Sequence, residues 1–323
     1  MTRTDPDPPR RPRIGVALGS GGARGWAHLG VLAALAERGI RPDIVTGASM
    51  GALVGAAAAG DRLDALEAWC RRLQNATVLR YIDMRIAGGG LVAGQEVARM
   101  LRKIGLPDRI EDLPLPFGAV ATDLETGAEV ALTRGPIAGA VRSSLAIPGV
   151  FSPHWHDGRW LLDGALCDPV PVRLARALGA EVVIAIDPNA SCGKPLWHAQ
   201  TPEAPGQTLL SRVGMAEVLP KAWRGMLPGA EDGAEAEDAS TAPSSQPPGY
   251  FQVVSTAIDI MQVHILRQRL AQNPPDLLLE ADLKHVGILE LHRAPEAMEH
   301  GRALVDRHAT ALDRLCLRPA APV

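Results

Sequence analysis

The sequence predicts an α/β fold in which a doubly wound, mainly parallel central sheet is flanked by helices. Short apolar runs that end in glycine alternate with helical stretches over about residues 13–190, and this order implies parallel strand pairing. Hydrophobic residues make up 46% of the 323 residues and aromatic residues only 3%, so Ala, Val, Leu and Ile must fill the core. The chain is long enough for one large or two ordinary domains.

Two strand–helix units are predicted at the start of this core. The run RIGVALG predicts a buried strand, and a helix follows from Trp26 to Arg38, ending before Gly39 as helices commonly do. The run DIVTGAS predicts a second strand, and MGALVGAAAA predicts a second helix whose small residues allow close packing on the sheet.

The alternation continues less regularly as far as residue 190. Strands are predicted at FGAVATDL, EVALT and AEVVIAIDP, and helices are predicted over residues 63–73, 95–104, 137–146 and 172–178. A flexible N-terminal lead of residues 1–12 precedes this core.

A change of composition separates this core from the C-terminal part. Residues from about 190 to 249 include the acidic run PGAEDGAEAEDASTAPSSQPPG, which predicts a disordered insertion because it has almost no large apolar residues. An amphipathic helix is predicted from Phe251 to Ala271, and an apolar stripe such as the one it carries usually faces the core. The strand DLLLEADL and a last helix over 294–315 complete a domain of residues 13–315, and residues 316–323 form a tail.

Charge, cysteine content and hydropathy exclude several classes of protein. The net charge of −3 and the pI near 6.3 argue against nucleic-acid binding, which needs clustered Lys and Arg. The four cysteines lack metal-site spacing and are expected to be reduced thiols. The sequence shows neither a signal peptide nor an apolar run of about 18 residues, so we expect a cytoplasmic protein whose membrane contact is peripheral, on the inner face.

The run GASMG, from Gly47 to Gly51, has the form G-x-S-x-G and lies where a predicted strand meets a predicted helix. A serine on such a turn is held in a strained conformation with its hydroxyl exposed, and small flanking residues let strand and helix approach each other. Ser49 is therefore a candidate nucleophile, and the helix N-terminus favours developing negative charge. The alternative is that Ser49 only caps its helix.

A hydroxyl nucleophile needs a base, and the candidates are the histidines and one aspartate, Asp163. None of the nine histidines has a distinctive local signature, and His28 is expected to be a packed or surface residue of the first helix. Asp163, in the turn WLLDGAL, follows an apolar run and precedes Gly164. We expect it at a strand end in a low-dielectric cleft, where burial strengthens it as a base. The alternative is an ordinary turn aspartate.

The glycine-rich run LGSGGARGW follows the first predicted strand. It does not fit a dinucleotide-binding loop, because Arg24 stands where a third glycine is required, or a P-loop, because Trp26 rather than Lys follows Gly25. It retains a turn of backbone N–H groups before a helix N-terminus, which is a ready anion site. Such donors form an oxyanion hole when they face a tetrahedral intermediate.

Taken in order, GSGGARG, GASMG and DGA resemble the motifs of the patatin-like phospholipase family. VRSSLAIPGVFSP and DPVPV resemble that family's Arg-x-Ser, Ile-Pro-Gly and Pro-Val-Pro landmarks. AIDIMQ and the LLLEADL region resemble its bacterial branch, which is related to the neuropathy target esterase catalytic domain. The resemblance covers about residues 13–310, without the variable stretch near 190–249, and implies a three-layer patatin-like fold.

The resemblance implies a catalytic dyad without histidine, in which Ser49 is the nucleophile and Asp163 the proton acceptor. It also implies an oxyanion hole in the loop after the first strand, formed by the amides of Gly21, Gly22 and Ala23 and supported by Arg24 and Gly25. Two departures from the family pattern are Ser20, where many relatives have glycine, and Asp168, where many have asparagine.

The implied reaction is hydrolysis of fatty-acyl esters of phospholipids or lysophospholipids, with a lipid as the partner and no metal or cofactor. Two alternatives remain open at this point. One is an α/β hydrolase esterase with a histidine triad, and the other is a non-catalytic lipid-binding regulatory protein. An acyltransferase would use the same residues with a different acceptor.

Overall fold

Eight strands form a mostly parallel central sheet in the part of the chain that the structure describes. The structure, a computed structural model, describes residues 11–73, 95–148, 150–190 and 250–316. The predicted N-terminal lead, insertion and tail lie almost wholly outside these ranges. The strands are β1 (Ile14–Leu18), β2 (Ile44–Ala48), β3 (Phe117–Asp123), β4 (Glu129–Leu132), β5 (His154–His156), β6 (Arg159–Asp163), β7 (Val182–Asp187) and β8 (Leu277–Glu280).

The sheet has the strand order β5-β6-β3-β2-β1-β7-β8, and β4 also pairs with β3. The pairings among β3, β2, β1, β7 and β8 are parallel, and those of β3 with β4, β3 with β6 and β5 with β6 are antiparallel. The carboxyl ends of the parallel strands therefore lie at one edge of the sheet, where loops carry functional groups in folds of this class.

The strands β2 and β6 share one edge of β3. Strand β4 pairs with β3 residues 119–122, which overlap both the β2 pairing at 117–120 and the β6 pairing at 121–123. Because each position on a strand edge pairs with one neighbour, β4 occupies one edge and β2 and β6 follow each other along the other. The carboxyl ends of β2 and β6 therefore meet head to head.

Nine helices accompany the sheet within the described ranges. They are α1 (Ala27–Glu37), α2 (Met50–Ala59), α3 (Leu63–Cys70), α4 (Gln95–Lys103), α5 (Ile137–Ser144), α6 (Val172–Ala177), α7 (Tyr250–Gln272), α8 (Ala294–Arg307) and α9 (Ala309–Cys316). Short 3-10 turns lie at Gly22–Trp26 and Gly164–Leu166. Among the described helices, none is long and apolar enough to cross a bilayer.

The buried side chains form separate apolar clusters, the largest two on opposite faces of the sheet. Val16 and Leu18 of β1 belong to the larger cluster, with residues of α1, α2 and α8, whereas Ala17 between them belongs to a cluster with α6 and α7. Alternate residues of a strand point to opposite faces, so helices cover both sides of the sheet. The predicted three-layer α/β fold is confirmed.

The structure differs from the sequence prediction in three elements. Strand β6 ends at Asp163, as expected, but β5 and the hairpin that it forms with β6 were not predicted. The last helix is divided at His308, which ends α8 with non-helical backbone angles. The apolar stripe of α7, which includes Met261 by its helical spacing, does not face the core throughout: Met261 is 49% exposed, and α7 packs Leu266 and Leu270 against the sheet.

Candidate active site

Ser49 occupies a strained turn between β2 and α2. Its backbone has φ 55° and ψ −121°, a left-handed conformation that non-glycine residues rarely adopt. The turn also requires glycine on both sides. A Cβ at position 47 would lie 2.2 Å from the Gly51 carbonyl oxygen, and one at position 51 would lie 2.1 Å from the Leu18 carbonyl oxygen.

The Ser49 hydroxyl donates a hydrogen bond to the carboxylate of Asp163. The Oγ–Oδ2 distance is 2.7 Å, and the two residues are only 1% and 2% exposed. The Ser49 side chain makes no capping bond to α2, so the helix-cap alternative does not describe it. The two residues meet because β2 ends at Ala48 and β6 ends at Asp163 on the shared edge of β3.

The Asp163 carboxylate is held by groups on both sides of the strand end. Its Oδ1 accepts a hydrogen bond from the Ala165 amide at 2.8 Å. The backbone carbonyl oxygen of Asp163 accepts another from Thr122 Oγ1 at 2.8 Å. Burial raises the pKa of Asp163 to about 7, although the hydrogen bonds from Ser49 and Ala165 oppose the shift. The ordinary-turn alternative does not describe a carboxylate with these contacts.

Ser144 holds the backbone of Ser49 in place. The Ser49 amide donates to Ser144 Oγ at 2.8 Å, and Ser144 is the last residue of α5. Arg142, on the same helix, donates to the Ser152 carbonyl at 2.7 Å and so anchors the loop after α5. Ser144 lies in the run VRSSLAIPGVFSP, but the sequence predicts no role for it. A contact between residues 95 apart in the chain leaves no local sequence signal.

The glycine-rich turn after β1 presents two free amides. Among the described residues, neither the Gly21 nor the Gly22 amide has a hydrogen-bond acceptor. Gly22 has φ 54°, and a Cβ there would lie 2.4 Å from the Ile288 carbonyl oxygen, so only glycine fits. The Ala23 amide instead donates to the Ile288 carbonyl at 2.9 Å. The expectation that Ala23 is an oxyanion donor is therefore corrected, because its amide is already paired.

Arg24 and Gly25 lie behind this turn. Arg24 is 5% exposed, and its Nε donates to the Val286 carbonyl at 2.8 Å. One of its terminal nitrogens donates to Asn189 Oδ1 at 3.0 Å and lies 3.8 Å from Asp259 Oδ2. Gly25 is buried next to Met50. These contacts join the turn to the segments that carry Val286 and Asn189.

A pocket opens above Ser49 and Asp163. Its lining includes apolar side chains, namely Ile147, Pro148, Leu166, Ile258 and Ile288. It also includes polar side chains, namely Ser20, Asn189, Asp259 and Gln262. Helix α7 supplies lining residues of both kinds. The pocket therefore offers both apolar and polar contacts to a ligand.

Among the described residues, no histidine forms a hydrogen bond or an ion pair with Ser49 or Asp163. His28 is fully buried and donates from Nε2 to the Gly19 carbonyl at 2.8 Å, and burial lowers its pKa to about 4. His264 is exposed on α7, and His198 lies outside the described ranges. His28 thus supports the loop before Ser20 as a neutral, packed residue.

The two departures from the family pattern lie close to the site. Ser20 Oγ donates to Gln262 Oε1 of α7 at 3.4 Å, so its side chain joins the loop to that helix. Asp168 is 1% exposed, and its Oδ1 has no hydrogen-bond partner within the described ranges. Burial, with repulsion from Glu129, raises the pKa of Asp168 to about 7, although Arg269 opposes the shift.

The chain is similar to patatin-like phospholipases and NTE family proteins. A family model described as patatin-like phospholipase matches residues 16–176. An uncharacterized NTE family protein of Mycobacterium tuberculosis is 37% identical over 334 residues, which cover 94% of this chain and 92% of that protein. Patatin-like phospholipase domain-containing protein 7 of Rattus norvegicus is 36% identical over 181 residues, which cover 54% of this chain and 13% of that protein.

Among solved structures, VipD from Legionella pneumophila aligns with 95% of this chain and 67% of its own, at 16% identity and a TM-score of 0.41. This likeness is too weak to add to the fold described above.

We predict that Ser144→Ala slows covalent labelling of Ser49 by a fluorophosphonate about tenfold, because the Ser49 amide loses a buried acceptor. Labelling would be followed by mass spectrometry of the Ser49 peptide. Ser143→Ala is the matched control, since Ser143 Oγ donates to Gly139 within its own helix. Equal labelling rates in the two variants would contradict a positioning role for Ser144.

We predict that Asp168→Asn stabilises the protein more at alkaline than at acidic pH. The pKa of Asp168 is raised in the folded state, so its contribution to stability falls as pH rises from its unfolded value towards 7. A neutral amide removes this loss, with a gain about 2 kcal/mol larger at pH of about 8 than at about 5.5. Thermal denaturation at both pH values measures it. The exposed control Asp306→Asn should show no such difference, and a pH-independent gain at Asp168 would contradict the argument.

Proposed function

The chain belongs to the patatin-like phospholipase family, within its branch of NTE family proteins, and we propose that it hydrolyses fatty-acyl esters of phospholipids or lysophospholipids. Family membership indicates a lipid hydrolase. The observation that carries the finer proposal is the 2.7 Å hydrogen bond from Ser49 Oγ to Asp163 Oδ2. It gives a nucleophile and a base in direct contact, as acyl transfer requires.

In the first step, Ser49 Oγ attacks the ester carbonyl carbon while Asp163 Oδ2 accepts the hydroxyl proton. The carbonyl oxygen becomes an oxyanion, which the free amides of Gly21 and Gly22 stabilise. The tetrahedral intermediate then collapses. Asp163 returns its proton to the alcohol that leaves, and the fatty acid remains as an ester on Ser49.

In the second step, water enters the place that the alcohol has left. Asp163 accepts a proton from this water, and the resulting hydroxide attacks the acyl-enzyme carbonyl. The same two amides stabilise the second oxyanion. Collapse of the intermediate breaks the bond to Ser49 Oγ, which takes the proton back from Asp163 and releases the fatty acid.

The environment of Asp163 supports its role as the base. An ordinary aspartate, with a pKa of about 3.9, is a weak proton acceptor near neutral pH. Burial raises the pKa of Asp163 to about 7, which brings its proton affinity close to the working range of a general base. A single carboxylate can then serve without a histidine.

The mixed lining of the pocket supports a lipid substrate. Its apolar residues, such as Ile147 and Ile258, offer contacts for a fatty-acyl chain, and its polar residues, such as Gln262, offer hydrogen bonds for the alcohol part. A substrate that has both an apolar and a polar part therefore matches this lining better than a small polar ester does.

We predict that Ser49→Ala and Asp163→Asn each lower fatty-acid release at least about 10³-fold without unfolding the protein, because each removes one half of the dyad. Release from phosphatidylcholine, lysophosphatidylcholine and a mixed lipid extract would be measured by mass spectrometry. Ser143→Ala and Asp306→Asn are the matched controls, and circular dichroism checks folding.

Four outcomes would contradict this proposal. Fluorophosphonate labelling of a residue other than Ser49 would contradict the assignment of Ser49 as the nucleophile. An active Asp163→Asn variant would favour the alternative with a histidine base. A wild-type protein that binds liposomes but neither reacts with the probe nor releases fatty acid would favour the non-catalytic alternative. Transfer of the acyl group to an added alcohol in preference to water would identify an acyltransferase.

We predict that kcat/KM rises with pH through a single ionisation near 7 and is level above it. Asp163 accepts a proton only as a carboxylate, and burial raises its pKa to about 7, so the active fraction falls about tenfold per pH unit below that value. Fatty-acid release from one ester between pH of about 5 and 9 measures the profile. A level profile that extends down to pH of about 5 would show an unshifted carboxylate and contradict the proposed base.

A further inference from the structure

Asn189 joins the two ends of the turn that carries the free amides. Its Nδ2 donates to the Ser20 carbonyl at 2.9 Å, and its Oδ1 accepts from Arg24 at 3.0 Å. Gly21 and Gly22 lie between these two contacts along the chain. We propose that Asn189 is a positioning residue for the oxyanion hole, an inference that rests on the proposed hydrolase function.

An amide is the side chain that can make both contacts together. Asparagine offers an N–H donor and a carbonyl acceptor on one planar group. A carboxylate of the same shape would accept from Arg24 but would turn a second acceptor towards the Ser20 carbonyl. An aliphatic side chain would pair with neither group. Ser20 and Arg24 are only 3% and 5% exposed, so water replaces these contacts poorly.

Asn189 is itself fixed by the end of strand β7. Its backbone amide donates to Asp187 Oδ1 at 2.9 Å, and Asp187 is the last residue of that strand. Pro188 packs on the turn, since a Cβ on Gly21 would lie 2.7 Å from Pro188 Cγ. The position of Asn189 therefore follows from the sheet.

The sheet also brings Asn189 and the glycine-rich turn together. The Asn189 side chain, with its hydrogen bonds to Ser20 and Arg24, is called the clamp below. Strands β1 and β7 are parallel neighbours, with Leu18 opposite Ile186 at their carboxyl ends. The Gly19 amide donates to the Ile186 carbonyl at 2.9 Å, which continues the pairing into the glycine-rich turn. Ser20 and Asn189 thus leave adjacent strands at the same edge, and the Asn189 side chain closes the gap between them.

The clamp affects the reaction through the orientation of the Gly21 and Gly22 amides. An oxyanion hole stabilises charge only when its donors lie about 2.7–3.1 Å from the oxyanion, so a small shift of the turn weakens it. Both polar atoms of the Asn189 side chain form hydrogen bonds within this turn, one to Ser20 and one to Arg24. Its loss is therefore expected to lower kcat and to leave the contacts of the acyl chain, and hence KM, almost unchanged.

The first test compares kcat and KM of Asn189→Leu and Asn189→Asp with those of the full-length wild-type protein on one fatty-acyl ester. We expect kcat to fall about 10- to 100-fold in both variants, with KM changing less than about threefold. Asn273→Leu, at the end of α7 away from the pocket, is the matched control. Asn189→Ser replaces any variant whose thermal denaturation shows that it does not fold.

The second test follows hydrogen–deuterium exchange of peptides that cover residues 19–26, which needs no turnover. We expect exchange at the Ala23 and Arg24 amides to be about tenfold faster in the Asn189 variants and unchanged in Asn273→Leu. An inactive wild-type protein with this exchange pattern would refute the proposed function and retain the clamp. The clamp is overturned by unchanged exchange, by unchanged kcat in an active protein, or by an effect on KM alone.

Discussion

The hydrogen bond between Ser49 and Asp163 depends on two strands that end against each other on one edge of β3. The parallel β2 carries Ser49 at its end, and the antiparallel β6 carries Asp163 at its end, at adjacent positions along that edge. Backbone pairing therefore sets the separation of the two side chains. No loop has to hold them together, which explains how two groups from distant parts of the chain meet at 2.7 Å.

The rest of the site is arranged around this meeting point by the neighbouring strands. Strands β1 and β7 end at the same edge and supply the glycine-rich turn and Asn189, while α5 supplies Ser144. Two of these contacts fix backbone groups, the Ser49 amide and the Ser20 carbonyl, and a third holds the Arg24 side chain. Preorganised backbone donors cost no reorganisation during the reaction, which is the property an oxyanion hole requires.

The parts of this site that were predictable from sequence are those with a local signal. GASMG lies between a strand and a helix and predicts the strained turn at Ser49, and the apolar run before Asp163 predicts its burial. Ser144 and Asn189 gave no such signal, because their contacts span 95 and 165 residues. The error at Ala23 has the same origin. The glycine-rich turn predicts free amides, but the Ile288 carbonyl, from a distant segment, occupies that one.

The burial that supports the proposed role of Asp163 as a base also lowers the stability of the folded state. The same holds for the buried carboxylates of Asp168 and Asp187. Burial raises the pKa of Asp163 and Asp168 to about 7 and that of Asp187 to about 6. Each raised value means that the folded state binds a proton more tightly than the unfolded chain, so stability falls as pH rises towards these values. In the proposed mechanism only Asp163 acts as the base, whereas Asp187 accepts a hydrogen bond from the Asn189 amide. These three carboxylates therefore contribute least to stability in the pH range in which Asp163 is ionised, and the apolar layers on both faces of the sheet offset that loss.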